Sequence, residues 1–447
     1  EGWIAGLRLL VLAAQGSSTE ETTDRIVDQT HHFAVHYLVT EVLARQPHHV
    51  REFLLVASLC ERFCAALIAA LTGQSIADCR AVLESLIQSD LFLVQLDSTR
   101  EWFRFHQLFQ AALQSELFRL SDESVLTAHH AQASAWFAEH SLLGEAIYHS
   151  LAAQDLDQAV ALVEAGGQNY LNGIERRQLE NWLAALPADA VWNRPKLLIA
   201  KAWLYYRHWR VDELGALLDQ LRTMVVHPAD AGPVSGVAQG HLFTLQTMLD
   251  MLYVADCTQI IETGRAAVRA LPKSERGAHA LALSGQSVGL LMQGKVNQSF
   301  ALLDAALADP APNSPAEIQL YLGRCTLCEF AGDFTQMEQT AQRFRSAAGS
   351  DRPFMAAAQW MTGRAWFETN QLDQALDAFA VTIANADATN FLAAATAMLK
   401  SAQIHQARGE FDAAQATLTQ VLDEGIRLRN RVLHPLLEAV QAALWLE

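Results

Sequence analysis

In the stretch EWFRFHQLFQAAL, residues 101–113, His106 stands where an alternating run gives way to a helical pattern, and Arg104 precedes it by two places. Residues two apart on a strand share a face. An imidazole and a guanidinium are thus offered together, a pair of donors suited to an anionic oxygen. On residue types alone, the first reading of His106 is a packed histidine bonding a backbone group at a strand-to-helix corner, and that of Arg104 a solvent-side arginine.

A second concentration of chemistry is AWLYYRHWR, residues 202–210. Trp203, Tyr206 and Arg210, at i, i+3 and i+7, fall on one helical face, with Arg207 beside them. Such a face suits stacking and hydrogen bonding to a polar effector, or gripping a protein partner. The competing reading packs Tyr205 and part of Trp209 inward and leaves the other face to solvent. Cys325-x-x-Cys328 has redox or zinc spacing, but no second cysteine or histidine pair follows it, so helix packing is the expectation. Cys60 and Cys64 read the same way. The doublets His31-His32, His48-His49 and His129-His130 do not chelate from adjacent helical positions, and no metal is expected. No Ser-His-Asp or Cys-His set and no distinctive carboxylate pair can be drawn, so nothing visible supports an enzyme.

The elements that carry these residues are helical. Past residue 120 nearly every segment is apolar at i, i+3, i+4 and i+7. A recurring turn signature appears at Gln154, Trp209, Ala255, Gly294, Gly332, Asn370 and Gly409, and the last five are 39, 38, 38 and 39 residues apart. With continuations such as ALDAF and AQATL, the period resembles tetratricopeptide-type helical hairpins in which the signature is the turn between helices A and B. It exceeds the 34-residue standard, so loops or helices must be longer. Pro-rich breaks at 227–233, 271–277, 309–315 and 349–353 fall where loops between hairpins belong.

Residues 47–120 differ: three helical patterns precede LFLVQLDSTREWFRFH, two alternating runs around the turn Asp97–Arg100, which is a winged-helix order. The default use of that module is DNA binding through its third helix. Here that helix, Ile76 to Ser89, offers Arg80 against Asp78 and Glu84. The whole chain carries 32 basic against 49 acidic residues, a net charge of -17, so direct nucleic-acid contact is not expected. With 51% apolar residues in 447 the chain has material for a large core. Six scattered cysteines point to reduced thiols and a cytoplasmic setting. The apolar run near the N-terminus, about 14 residues broken by Arg8, is too short to span a membrane. The chain opens on Glu1, which reads as a piece of a longer protein.

EGWIAGLRLLVLAA, YLVTEVLARQP, FLLVASLCERFCAALIAALTG, LIQSDLFLVQLD and WFRFHQLF resemble, in order, the lid end and winged helix of the MalT-like ATP-dependent transcriptional regulators. These are signal-transducing ATPases with a LuxR-type C-terminal DNA-binding domain. The resemblance is dense over residues 1–165 and architectural beyond. It implies that 1–46 are the last helices of an ATPase lid, 47–120 the winged helix, 121–190 adaptor helices and 191–447 the repeat solenoid of an otherwise all-α chain. It implies too that His106, with Arg104, reaches the β-phosphate of bound ADP in the intact protein and holds the resting form. An effector or partner on the solenoid, near Trp203, Tyr206, Arg207 and Arg210, would release that contact, and the activated protein would self-associate. ATP and ADP are thus expected for the intact protein, but no cofactor for this chain, which has no G-x-x-x-x-G-K-[ST]. A freestanding repeat adaptor for protein contacts is the alternative.

Overall fold

The computed structural model describes residues 43, 46–88, 93–171, 176–192, 194–208, 210–226, 234–253, 256–308, 315–350, 352–386 and 391–427. The expected lid helices, the turn residues Trp209 and Ala255, His31-His32 and the C-terminal LHPLLEAVQAALWLE lie outside these residues. Two compact units result, Glu1–Val163 and Glu164–Glu447.

The first unit is built on three helices, α1 (His48–Ala57), α2 (Ala65–Thr72) and α3 (Ile76–Gln88), then β1 (Leu93–Gln95) and β2 (Phe103–Phe105). The strands pair antiparallel, with Leu93 opposite Phe105 and Gln95 opposite Phe103. A bridge between Phe63 and Phe103, sealed by reciprocal bonds of 2.8 and 2.9 Å, ties the wing to the turn before α2. The local signals explain these elements. The Cys64 sulfur accepts from the Leu67 N–H at the start of α2, and Gly73 ends it at φ +73°. At the wing tip the Asp97 carboxylate takes the N–H groups of Glu101 and Trp102 at 3.0 and 3.2 Å. Phe53, Phe63 and Phe105 are fully buried, with Phe63 and Phe105 centroids 4.7 Å apart.

Helix α4 (Gln107–Leu120) leaves the wing directly, followed by α5 (Glu123–Glu139) and α6 (Leu143–Ala152). The α5–α6 hairpin packs on the winged helix through Arg62. That guanidinium bonds Glu145 on α6, at 2.7 Å from Nε, and lies 4.9 Å over the Trp102 ring, which meets Trp136 of α5 edge-on at 6.2 Å. The adaptor drawn over 121–190 is therefore divided. Its first hairpin shares a core with the winged helix, and the unit boundary falls inside α7 (Leu156–Leu171).

After α8 (Arg176–Ala185) and α9 (Ala188–Trp192), the second unit is a run of hairpins. The A helices are α10 (Pro195–Arg207), α12 (Val234–Leu252), α14 (Arg276–Met292), α16 (Pro315–Phe330), α18 (Arg352–Glu368) and α20 (Phe391–Ala407). Their B partners are α11 (Val211–Val226), α13 (Cys257–Ala270), α15 (Val296–Leu307), α17 (Phe334–Ala348), α19 (Leu372–Ala384) and α21 (Phe411–Arg427). Every A helix packs on its own B helix and on the next A helix. The turn signature has a physical identity: Gly294, Gly332, Asn370 and Gly409 all have left-handed backbone, φ +60° to +75°. In each, the N–H one place further on reaches back five residues, as from Lys295 to the Leu290 carbonyl at 2.9 Å, so one of the orphan carbonyls at the end of helix A is capped. Gln154 shares the conformation, and so does Ser141, at the α5–α6 turn. The longer period lies in the helices, with α14, α18 and α20 at 17 residues each.

Candidate functional site

The wing corner is fixed from both sides. On β2, Phe103 and Phe105 are 2% and 1% exposed, so the pleat turns Arg104 to the opposite face. His106 has extended backbone, φ -62° and ψ 138°, and caps α4 with its carbonyl, which accepts from Gln110 at 2.9 Å. Helix α4 is anchored by its glutamines: Gln110 donates to the Ser58 and Cys60 carbonyls at 3.0 Å each, and Gln114 to Ser58 at 2.7 Å. These bonds satisfy carbonyls freed where α1 ends. The His106 imidazole itself is exposed and bonds nothing in the cap. It is therefore not the packed corner histidine that residue type alone allowed. Among the described residues no hydrogen bond or ion pair occupies the side chain of either His106 or Arg104. Helix α3 exposes Ile76, Arg80, Glu84 and Ile87, a face without the cationic excess that a phosphate backbone requires.

At AWLYYRHWR the four residues of the expected contact face are placed as follows in the fold. Trp203 is only 8% exposed, because its indole N–H donates to His241 Nδ1 at 3.2 Å on the next A helix. Tyr206 meets the Trp203 ring edge-on at 5.8 Å, and burial pushes its phenol up to about 12. Arg210 turns away, bonding Glu213 twice at 3.0 and 2.8 Å and lying 4.6 Å over Tyr205. Arg207 is half-buried. Trp203 and Tyr206 thus form an A-helix seam, and Arg210 belongs to the turn.

That seam continues to residues the sequence reading did not name. Because His241 Nδ1 accepts from Trp203, its proton sits on Nε2, which is buried and faces Glu275 Oε2 at 3.5 Å, beyond a hydrogen bond. Burial holds His241 down to about 4 and raises Glu275. The available signal was the spacing: His241 follows Trp203 by 38 residues, one repeat period.

An open cleft of about 370 Å³ lies between α11, α12 and α13, lined by Arg222, Phe243, Gln246, Gln259, Glu262 and Thr263 among others. Its polar groups are held in a chain. Arg222 donates to Gln246 at 3.0 Å, and Gln246 donates to the buried Asp250 at 2.8 Å, which Gln259 also approaches at 3.4 Å. One aromatic wall and several oriented amides suit a small polar ligand.

The remaining candidates are structural. Cys325 is fully buried seven places before Gly332, where Ala202, Ser287, Gly363 and Ala402 stand before their own turns. Small side chains are the commonest occupants of that buried position, though Ile147 and Met248 hold it in two other hairpins. Burial pushes the Cys328 thiol up to about 11 and the Cys325 thiol higher still, so neither offers a thiolate. His130 of the His129-His130 doublet meets His149 rather than a metal, Nδ1 to Nδ1 at 2.8 Å. Among the described residues no group of three or more His, Cys, Asp or Glu side chains could hold a metal ion. Residues 289–295 do read G-x-x-x-x-G-K, but the first four end α14, Gln293 is its C-cap and Gly294-Lys295 its hairpin turn, with Val296 where a P-loop has Ser or Thr. No helix among the described residues is long and apolar enough to cross a membrane.

Comparison with known proteins places this geometry. Residues 39–125 match the family model of the MalT winged helix domain. The serine/threonine-protein kinase PknK of Mycobacterium tuberculosis is 39% identical over 206 residues, 45% of this chain and 18% of that protein. The HTH-type transcriptional regulator MalT of Vibrio parahaemolyticus is 31% identical over 222 residues, 49% of this chain and 24% of that protein. The chain therefore matches about a fifth of these relatives' length. In fold it is similar to a STAND protein with a tetratricopeptide repeat sensor, PH0952 of Pyrococcus horikoshii, with TM-score 0.53 and 12% identity over 96% of this chain and 62% of that one.

Proposed function

We propose that this MalT-like chain, a winged helix followed by a tetratricopeptide-like solenoid, is the sensing and coupling region of a regulator whose output is gated by bound nucleotide. The relatives support a coupling role. One bears the name of a kinase and another that of an HTH-type regulator, so what they share with this chain is a common control region rather than a common output.

The observation that carries the reading is the wing corner. Arg104 lies on β2 and His106 follows it as the N-cap of α4, their donors unoccupied among the described residues, on a strand and helix anchored by Phe103, Phe105, Gln110 and Gln114. A diphosphate supplied by an ATPase module of the intact protein would be met by an imidazole N–H and a guanidinium fork, both charge-assisted contacts. Effector or protein binding to the solenoid, with the Arg222–Gln246–Gln259 cleft as its small-molecule site, would favour the state in which that contact is broken. The effector must then bind the open state more tightly, since equal affinity shifts nothing. ADP and ATP are the cofactors of the intact protein in this reading, and self-association follows activation.

The test is His106→Ala in the full-length protein. Effector-independent output should rise and ADP should dissociate faster, with thermal stability little changed because the imidazole is exposed and makes no cap bond. Unchanged basal output and unchanged ADP release would remove the nucleotide role.

A further inference from the structure

The cleft between α11, α12 and α13 has unlike walls. On one, Arg222 gives one of its five N–H groups to Gln246 at 3.0 Å, and Gln246 gives one of its two amide hydrogens to Asp250 at 2.8 Å. What remains there is chiefly donor. On the other, Thr263 donates its only hydroxyl hydrogen to the Gln259 carbonyl at 2.8 Å, and Gln259 aims its amide nitrogen at Asp250, 3.4 Å away. Glu262, beside them, has no partner among the described residues. What remains on this wall is chiefly acceptor: two carboxylate oxygens, an amide oxygen and the lone pairs of a hydroxyl. Arg222 and Glu262 thus line one cleft without pairing with each other; Arg222 instead approaches Asp219 at 3.7 Å, an exposed pair of little strength.

The apolar surface lies at one end. Asp250 and Gln259 meet where α12 ends and α13 begins, so Phe243 and Ala266, further along each helix, sit away from that polar end. A cleft of about 370 Å³ is at the small end of the roughly 300–1,000 Å³ of ligand sites, the size for one small molecule rather than a chain of units. Charge then selects the class. A simple anion would answer Arg222 but face Glu262 within a chain of net charge -17, and a simple cation would answer Glu262 but face Arg222. A neutral polyol would bond to both walls and neutralise neither charge. We propose that the cleft binds an apolar α-amino acid as its zwitterion. The carboxylate takes the Arg222 guanidinium and the free Gln246 amide hydrogen, the ammonium takes Glu262 and the Gln259 amide oxygen, and the side chain lies along Phe243 and Ala266. Both polar contacts are charge-assisted. This assignment rests on the cleft being the small-molecule site of the solenoid and adds the chemistry of its occupant.

The test is isothermal titration calorimetry of the full 447-residue chain, without nucleotide, against L-alanine, L-valine, L-leucine, L-methionine and L-phenylalanine up to about 10 mM. At least one should bind, with L-alanine the weakest because it leaves Phe243 uncovered. For the tightest, the analogues lacking the ammonium or the carboxylate, which for L-leucine are isocaproate and isoamylamine, should each bind roughly 10- to 100-fold more weakly. Glu262→Gln should weaken the amino acid roughly tenfold without weakening the ammonium-free analogue, and Arg222→Gln should weaken it as much without weakening the carboxylate-free one. Both residues are exposed, so circular dichroism should be unaltered. Silence from all five amino acids overturns the proposal, as does binding indifferent to both substitutions. D-glucose bound in their place, and lost on Arg222→Gln, would also overturn it while keeping the cleft as the effector site. None of these outcomes bears on His106, because no nucleotide is present, and failure of the nucleotide role would leave the titration as it is.

Discussion

His130 on α5 and His149 on α6 meet Nδ1 to Nδ1 at 2.8 Å, so one imidazole donates and the other accepts, and both are neutral. His149 is 1% exposed and stacks on Phe137 at 5.4 Å, and the neighbouring Ser134 and Ser150 hydroxyls bond each other at 2.7 Å. Burial first, then the neighbouring His130, holds His149 down to about 3.

A pH dependence follows with a definite sign. The unfolded chain protonates this histidine below its ordinary pKa of about 6.5, whereas the folded chain resists until about 3. The stabilisation is complete above pH 6.5 and is lost as pH falls through that interval, and His241, held at about 4, adds in the same direction within the second unit. At pH 4 His149 alone should cost the first unit about 3 kcal/mol. Thermal unfolding followed by circular dichroism between pH 7.5 and 4.5 should show the loss. His149→Phe keeps the stack on Phe137 and should flatten the slope; an unaltered slope refutes the assignment.

Arg62 joins the winged helix to the α5–α6 hairpin through Glu145 and the Trp102 face. Both members of the ion pair are partly exposed, at 37% and 25%, so the Coulomb share is discounted. With the cation–π contact included, Arg62→Ala should cost about 1–2 kcal/mol. Because Trp102 enters β2, the same substitution should speed amide exchange at Phe103 and Phe105. A double-mutant cycle with Glu145→Ala measures the coupling, and strict additivity would show that the contact carries none.

What could be read from the chain divides along the range of the interactions. The hairpin turns at Gly294, Gly332, Asn370 and Gly409 were legible because a left-handed cap is a local demand answered by few residue types. The Ser141 turn escaped, since serine is an uncommon answer to the same demand. The wing was legible from its alternation, and the exposure of His106 follows from the burial of Phe105 before it. The inward turn of Trp203 was not legible, because it depends on His241 in the following repeat. Helical spacing says which residues share a face, while a partner one repeat away decides which face is buried.

The same distinction separates two glycines by the reason each is needed. At Gly363 an added Cβ would lie 2.7 and 2.8 Å from ring carbons of Phe379 and 3.2 Å from Ala378 Cβ. Phe379 is fully buried among Met337, Trp360 and Met361, so it has nowhere to turn. Gly363→Ala should therefore destabilise by about 1–3 kcal/mol, outweighing the roughly 1 kcal/mol that alanine gains within a helix. At Gly294 nothing lies within 4 Å of the added carbon, and the cost comes from the backbone at φ +75°. Gly294→Ala should lose about 1–2 kcal/mol for that reason alone. The two losses are told apart by their remedies. Trimming the ring with Phe379→Leu should recover part of the Gly363→Ala loss and none of the other. Gly294→Asn should cost less than Gly294→Ala, because Asn370 occupies the equivalent turn at φ +60°. Urea unfolding of the four variants reads both comparisons, and an equal loss for Asn and Ala at Gly294 would show that backbone strain is not what selects glycine there.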